Sequence, residues 1–104
     1  MTKEVQTKLV AAFENKQLLV SYGTYSPNIR GDQKMIALFV EAFSDIIVFP
    51  GYQDGTTNNV DPYVKIAGDL DAKRKYFEVA SAINERLDYA VFDVGELSCM
   101  LDKA

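Results

Sequence analysis

The side chains that could do chemistry in this chain are carboxylates, lysines and tyrosines, because the sequence contains no histidine. Histidine is the side chain best suited to proton transfer near neutral pH. Its absence excludes Ser-His-Asp and Cys-His nucleophile systems within the chain, and histidine-based zinc and iron sites. The single cysteine, Cys99, excludes an intramolecular disulfide and a cysteine-rich metal centre. We therefore predict no catalytic residue, no metal and no cofactor. The missing catalytic groups favour a binding protein over an enzyme.

Polar and aromatic side chains cluster in the segment that follows the first predicted strand. Tyr22 and Tyr25 offer flat amphipathic area, Asn28 can donate and accept hydrogen bonds, and Arg30 carries a fixed charge on a planar donor fork. Binding surfaces concentrate on loops. We predict that these four residues form the main binding surface. The alternative is a turn-rich connection whose tyrosines only cover the edge of the sheet.

Two further aspartates follow predicted strands. Asp54 lies in the polar segment 51–61, and Asp93 follows the third strand. Ligands of open α/β sheets bind outside the carboxyl ends of the strands, so we expect Tyr25, Asp54 and Asp93 to meet at one edge of the sheet. Segment 51–61 carries oxygen donors, but Gly55 and Lys65 do not fit the EF-hand order, which supports the prediction of no metal.

The spacing of apolar residues predicts alternating helices and strands. The predicted helices cover 3–15, 32–44, 70–87 and 96–102, and the predicted strands cover 17–22, 46–49 and 89–92. Residues 35–43 fit either a helix or a strand. We predict a helix, because a strand would place Glu41 on the same face as Phe39 and Phe43, and because Asp32 is a suitable N-cap.

The element order α-β-α-β-(loop)-α-β-α predicts one α/β domain over residues 1–104. We expect a small, mostly parallel or mixed sheet of three to four strands, flanked by helices. The apolar run at 18–20 is typical of a strand that is covered on both faces. An alternative places a hairpin tip at Asp54-Gly55, in which case residues 63–66 would pair antiparallel with the second strand.

The charge balance limits the classes of partner. A net charge of −4, from 15 acidic and 11 basic residues, disfavours nucleic acid and anionic membranes as partners. The basic run Lys73-Arg74-Lys75 is typical of the solvent face of a helix. We find neither a signal-peptide pattern nor a membrane-spanning apolar run, so we predict a cytoplasmic location.

These observations favour a small acidic intracellular binding or regulatory protein, of the inhibitor or immunity type, that acts by surface complementarity to a protein partner. The tyrosines and Arg30 would anchor the contact, and acidic positions would steer a basic partner. The alternative is a small α/β ligand-binding domain or a carboxylate- or tyrosine-based enzyme, with its pocket at the carboxyl ends of the strands. A third hypothesis is a homodimer that buries apolar area left exposed on the second helix.

Overall fold

The computed structural model of the protein describes residues 1–22, 27–47, 49, 52, 57–60, 70–89 and 91–92. The elements in this part are α1 (Lys3–Glu14), β1 (Leu18–Tyr22), β2 (Pro27–Gly31), α2 (Gln33–Phe43), β3 (Asn59–Val60) and α3 (Leu70–Glu85). Three helices and one three-stranded sheet confirm a small α/β architecture. The predicted helix at 96–102, with Cys99, and the alternative strand at 63–66 lie outside the described residues. None of the described helices is both long and apolar enough to cross a bilayer.

Helix α1 begins where the sequence predicts it. The hydroxyl oxygen of Thr2 accepts a hydrogen bond from the backbone N–H of Val5 at 3.2 Å, which satisfies one of the free donors at the start of the helix. One turn later, the Lys8 ammonium lies 3.9 Å from the Glu4 carboxylate. This exposed pair adds only a few tenths of a kcal/mol, as is usual for neighbours one turn apart on a helix, about 0.3–0.5 kcal/mol.

A left-handed residue ends α1 and directs the chain into β1. Lys16 has a φ of 60°, and its N–H donates to the carbonyl of Phe13 at 3.2 Å. The N–H of Gln17 donates to the carbonyl of Ala12 at 2.9 Å. This pair of bonds is the Schellman arrangement, which more often places glycine where Lys16 stands. The Lys16 ammonium also lies 4.2 Å from the centre of the Tyr89 ring, so a cation–π contact fixes the turn.

The sheet is antiparallel in both of its described pairings. β1 pairs with β2, with Leu18 opposite Gly31, and β2 pairs with β3, with Ile29 opposite Val60. The strand order is β1-β2-β3, so the predicted parallel pairing is not found among the described strands. The prediction that the segment after β1 is wholly a loop is wrong for Pro27–Gly31. The prediction of a loop at 51–61 is wrong for Asn59–Val60.

The choice of a helix for residues 35–43 is confirmed. Asp32 precedes α2, and its carboxylate Oδ1 accepts a hydrogen bond from the N–H of Met35 at 2.9 Å. Apolar side chains of α2 are buried or half-buried against the core, including Ile36, Phe39 and Leu38. The exposed apolar area on this helix that the homodimer hypothesis requires is therefore not observed in the described residues.

Of the second predicted strand, 46–49, the structure describes residues 46, 47 and 49, and none of them lies in an extended strand. Ile46 lies in the turn at the end of α2, and Ile47 makes only an isolated bridge. Their N–H groups both donate to the carbonyl of Phe43, at 2.9 and 2.8 Å. The backbone donors of this apolar pair are thus used to close the helix rather than to extend a sheet.

The third predicted strand, 89–92, is also wrong for the residues that the structure describes. Tyr89, Val91 and Phe92 lie in bends. The side-chain oxygen of Asn84 accepts from the N–H groups of Val91 and Phe92, at 2.9 and 3.1 Å, and its amide donates to the carbonyl of Phe92 at 2.8 Å. One asparagine therefore provides the backbone hydrogen bonds that a neighbouring strand would otherwise supply.

An aromatic cluster forms the centre of the core. Its buried rings are Phe13, Phe39, Phe43, Tyr76 and Phe92, and α1 contacts both α2 and α3 around them. Neighbouring ring centres lie between 4.9 and 6.4 Å apart, within the range of edge-to-face and offset contacts. Buried aliphatic side chains of the sheet join this cluster from one side, which leaves the other face of the sheet for solvent.

Candidate binding surface

The three strands separate an apolar face from a polar one. Leu18, Ile29 and Val60 belong to the core, at 0, 1 and 7% exposure. The alternate positions Leu19, Arg30 and Asn59 lie opposite one another in register and are all exposed. Asn28 lies two residues before Arg30 and is half-buried on the same face. We call these four residues, Leu19, Asn28, Arg30 and Asn59, the outer face.

Leu19 corrects the expectation that the first strand is covered on both faces. This side chain keeps 45% of its surface exposed. Single exposed leucines are ordinary on protein surfaces. Here the leucine lies directly beside an arginine on a bare sheet face, so it provides apolar area next to a fixed charge.

Beside the outer face, an open depression lies at the corner between β2 and α2. Its volume is about 800 Å³, and its walls are formed by Arg30, Gly31, Asp32, Gln33, Lys34 and Asn58. We call it the corner depression. The N–H of Gly31 donates to the carbonyl of Asn58 at 3.1 Å, which joins the two chain segments of its wall. The Asp32 cap then fixes the start of α2 against the same corner.

Position 31 requires glycine, because the backbone of Gln17 approaches it closely at this corner. A methyl group on its Cα would lie 2.7 Å from the carbonyl oxygen of Gln17 and 3.1 Å from a methyl carbon of Leu18. It would also lie 3.3 Å from the Cβ of Met35. Only glycine lets the end of β2 pack this closely against the turn after α1. The corner that carries the depression is therefore a tightly packed part of the fold.

The charges of the corner depression are unequal. Arg30 and Lys34 contribute two cations, and Asp32 contributes one carboxylate that already accepts the capping hydrogen bond. Neither cation forms an ion pair within the described residues. The first turn of α2 adds partial positive charge from its free N–H groups. The corner therefore favours an anionic or hydrogen-bond-accepting group on a protein of net charge −4.

The side chains of this surface can form ion pairs and hydrogen bonds. The guanidinium of Arg30 can grip a carboxylate through two parallel hydrogen bonds, and the amides of Asn28 and Asn59 can donate and accept beside it. Pockets for small molecules are typically enclosed and mostly apolar. The corner depression is wide open, and its walls are mainly polar side chains. Such a shape suits a protruding side chain of another macromolecule better than an enclosed small molecule.

The structure brings together two of the six predicted site residues. Asn28 and Arg30 lie on one face of β2. Tyr22 ends β1, where its backbone pairs with Pro27. Tyr25, Asp54 and Asp93 lie outside the described residues, so their convergence stays a prediction. The parallel strands on which that convergence was based are not found among the described pairings.

Sequence reasoning missed Leu19, Lys34, Asn58 and Asn59 as members of this surface. The alternation of Pro27, Ile29 and Gly31 with two polar residues was a usable signal for β2 and for the direction of Arg30. Asn58 and Asn59 lie almost thirty positions further along the sequence, and only the pairing of β2 with β3 brings them to Arg30.

Comparisons with protein-family models, with curated proteins and with solved structures found no match for this chain.

Proposed function

We propose that the protein is a small acidic intracellular binding or regulatory protein, of the inhibitor or immunity type, that acts by surface complementarity to a protein partner. The contact is formed by the outer face and the corner depression. One observation carries this proposal: Arg30 lies exposed at the centre of a bare sheet face, between Leu19 and Asn59, with no ion pair in the described part of the chain.

Arg30, at the centre of this surface, is of a residue type that dominates protein contacts. Arginine is enriched among residues whose truncation weakens binding most, and such residues lie near the centre of an interface with less critical contacts around them. Leu19 supplies apolar area, and asparagine amides supply hydrogen bonds at the rim. The matching group on the partner is a carboxylate, which pairs with the planar guanidinium better than any neutral group does.

The net charge of the protein favours a basic partner, whereas the two cations of the corner depression favour a carboxylate at the contact itself. A net charge of −4 attracts a partner that is basic overall and increases the rate of encounter. The two cations of the corner depression then select the orientation in which a carboxylate of that partner meets Arg30. The proposed partner therefore carries an acidic side chain within an otherwise basic or neutral surface.

Affinity capture from the native host, with quantitative mass spectrometry, tests this proposal with a matched pair of variants. Arg30→Glu reverses the charge at the centre of the outer face. Arg74→Glu makes the same change at an exposed position of α3 and leaves the outer face intact. We expect the protein and the Arg74→Glu control to retain the same partner, and Arg30→Glu to lose it by at least about tenfold.

Equal retention by both variants would rule out the outer face as the contact. A third variant, Tyr25→Ala, tests whether the contact extends into the segment between β1 and β2, as the sequence predicts. Loss with Tyr25→Ala but not with Arg30→Glu would move the contact from the sheet face to that segment.

A further inference from the structure

The outer edge of β1 presents backbone groups that no described residue binds. β1 is the first strand in the order β1-β2-β3. The N–H of Gly31 donates to the carbonyl of Asn58, so the backbone groups of Gly31 point towards β3. Backbone groups alternate in direction along an antiparallel strand. Those of Asn28 and Arg30 therefore point towards β1.

The register of the β1–β2 pair shows which backbone groups of β1 point towards β2 and which point away from it. Leu19 lies opposite Arg30 and Ser21 lies opposite Asn28, so their backbone groups make the bonds of the hairpin. The N–H and carbonyl groups of Leu18, Val20 and Tyr22 then point away from the sheet. In the described part of the chain no hydrogen bond reaches these outward groups.

The sequence of β1 lacks the usual protection of an edge strand. Natural edges avoid pairing through lysine, proline, bulges or a very short strand. Leu18–Tyr22 has the sequence LLVSY, which contains no charge, no proline and no glycine. Leu19, at 45% exposure, adds apolar area at this edge. An edge of this kind favours the addition of another strand.

We propose that β1 pairs antiparallel with β1 of a second copy of this chain, about a two-fold axis at Val20. In this register Val20 lies opposite Val20, and Leu18 lies opposite Tyr22 of the other copy. The residues that pair are the same three whose backbone groups point outward, so each outward N–H meets a carbonyl. Two three-stranded sheets become one continuous sheet, with both outer faces on the same side.

The side chains explain why the occupant is a second copy. The register places Leu19 diagonally across from Leu19 of the other copy, at a separation of about 7–8 Å that long side chains can bridge. The exposed leucine thereby gains an apolar neighbour. The two Arg30 residues are separated by three strand spacings, about 14 Å. This distance exceeds the screening length of about 8 Å at physiological salt, so the two charges do not oppose the pairing.

Light scattering over a range of concentrations tests the proposal with charge variants of Leu19. We expect the mass of the unmodified protein to rise from one chain towards two. Leu19→Lys and Leu19→Glu each place like charges across the axis, and we expect either change to raise the dissociation constant by at least about tenfold. An equimolar mixture of the two variants should recover the dimer, because unlike charges then meet. Recovery in the mixture also shows that both variants are folded.

The matched control is Asn59→Lys. This change adds a charge to the same outer face, but on β3, two strands away from the proposed axis. We expect its dimerisation to equal that of the unmodified protein. Two results would overturn the proposal: a protein that keeps the mass of one chain up to about 1 mM, or Leu19 variants that dimerise as well as the control.

Amide hydrogen exchange distinguishes pairing at this edge from association elsewhere. Within the described part of the chain, no residue binds the N–H groups of Val20 and Tyr22, whereas that of Leu19 already belongs to the hairpin. We expect the exchange of Val20 and Tyr22 to slow as concentration rises, with a much smaller change for Leu19. A dimer in which these two amides stay as fast as in the single chain contradicts the proposed register. This test depends on mass and exchange alone, so its outcome is independent of partner binding at Arg30.

Discussion

At two corners of the fold, a side chain provides the hydrogen bonds of the backbone, but over different distances along the sequence. At the corner between β2 and α2, the Asp32 side chain accepts from the N–H of Met35, three residues away. At the corner after α3, the Asn84 side chain binds the backbone of Val91 and Phe92, seven and eight residues away. Both solutions use one polar side chain beside a buried apolar segment.

The difference between the corners is the range over which the side chain acts. A helix cap acts within one turn, so its residue type and position are visible in a short stretch of sequence. The Asn84 side chain, which takes the place of a neighbouring strand, acts across a turn whose path cannot be predicted from the sequence. The first corner carries the candidate binding surface, and the second closes the core around Phe92. We therefore expect substitutions at the second corner to affect stability most.

Asn84→Ala should have the largest effect. It removes three hydrogen bonds and leaves backbone groups of two residues with 2 and 1% exposure, Val91 and Phe92, without their partner. We expect the free energy of unfolding to fall by about 3 kcal/mol, from the cost of buried unsatisfied groups. Urea unfolding with an unchanged m-value measures this loss. Alanine favours a helix more than asparagine does, so helix propensity works against the expected loss.

Glu85→Ala is the matched control for this substitution. Glu85 is the next residue of α3 and is exposed, so its truncation should change the free energy of unfolding by less than about 0.5 kcal/mol. Similar losses for the two variants would mean that the end of α3, rather than the Asn84 hydrogen bonds, determines the stability of this corner.

The sequence predicted the helices better than the strands because the signals for a helix lie within a short stretch of sequence. Thr2 and Asp32 are local caps, and each helix has an apolar spacing that repeats within a few turns. The apolar residues at 89–92 have high strand propensity, but Asn84 supplies hydrogen bonds to the backbone of Val91 and Phe92 without a strand. β2 was missed because Ile29 is its only large aliphatic residue. Strand propensity depends on such partners, and they are distant in the sequence.

Gly31→Ala should have an intermediate effect, because it strains the first corner sterically. The added methyl group would lie 2.7 Å from the Gln17 carbonyl oxygen, and backbone cannot move away as a flexible side chain can. We expect a loss of about 1–3 kcal/mol in the free energy of unfolding, as for overpacked positions. Elsewhere, replacing glycine by alanine often stabilises by restricting the unfolded chain. A gain in stability would therefore show that the corner relaxes more easily than its contacts indicate.

Arg30→Ala is the control for the Gly31 substitution, since it changes the preceding residue of the same strand. Arg30 is exposed and makes no ion pair in the described residues, so its loss should leave the free energy of unfolding within about 0.5 kcal/mol. The pair separates two properties of one corner: the close packing that Gly31 permits and the partner contact that we propose for Arg30. A large loss of stability for Arg30→Ala would contradict this separation.

Residue types predicted two members of the candidate binding surface, and the sheet register adds the others. Asn28 and Arg30 were predicted from their chemistry, although in a loop. Their common face follows from alternation along β2. Leu19 was expected to be covered, because an apolar run does not show which face of a strand lacks a partner. Asn59 reaches the surface only through the pairing of β3 with β2.

Two substitutions of Asp32 separate its contribution to stability from its effect on partner capture. We expect them to change the free energy of unfolding less than Asn84→Ala and Gly31→Ala. Asp32→Ala removes the helix cap and should lower the free energy of unfolding by about 1 kcal/mol. An asparagine at this position would cap nearly as well, so Asp32→Asn should stay within about 0.5 kcal/mol of the unmodified protein. The asparagine variant also removes the carboxylate that Asp32, alone among the described residues, contributes to the lining of the corner depression. Capture of a partner with a carboxylate at Arg30 should then become stronger, because repulsion at the site is lower.

Thermal unfolding and quantitative capture measure the two effects independently. Equal losses of stability for both variants would assign the contribution of Asp32 to its charge at the start of α2 rather than to its hydrogen bond.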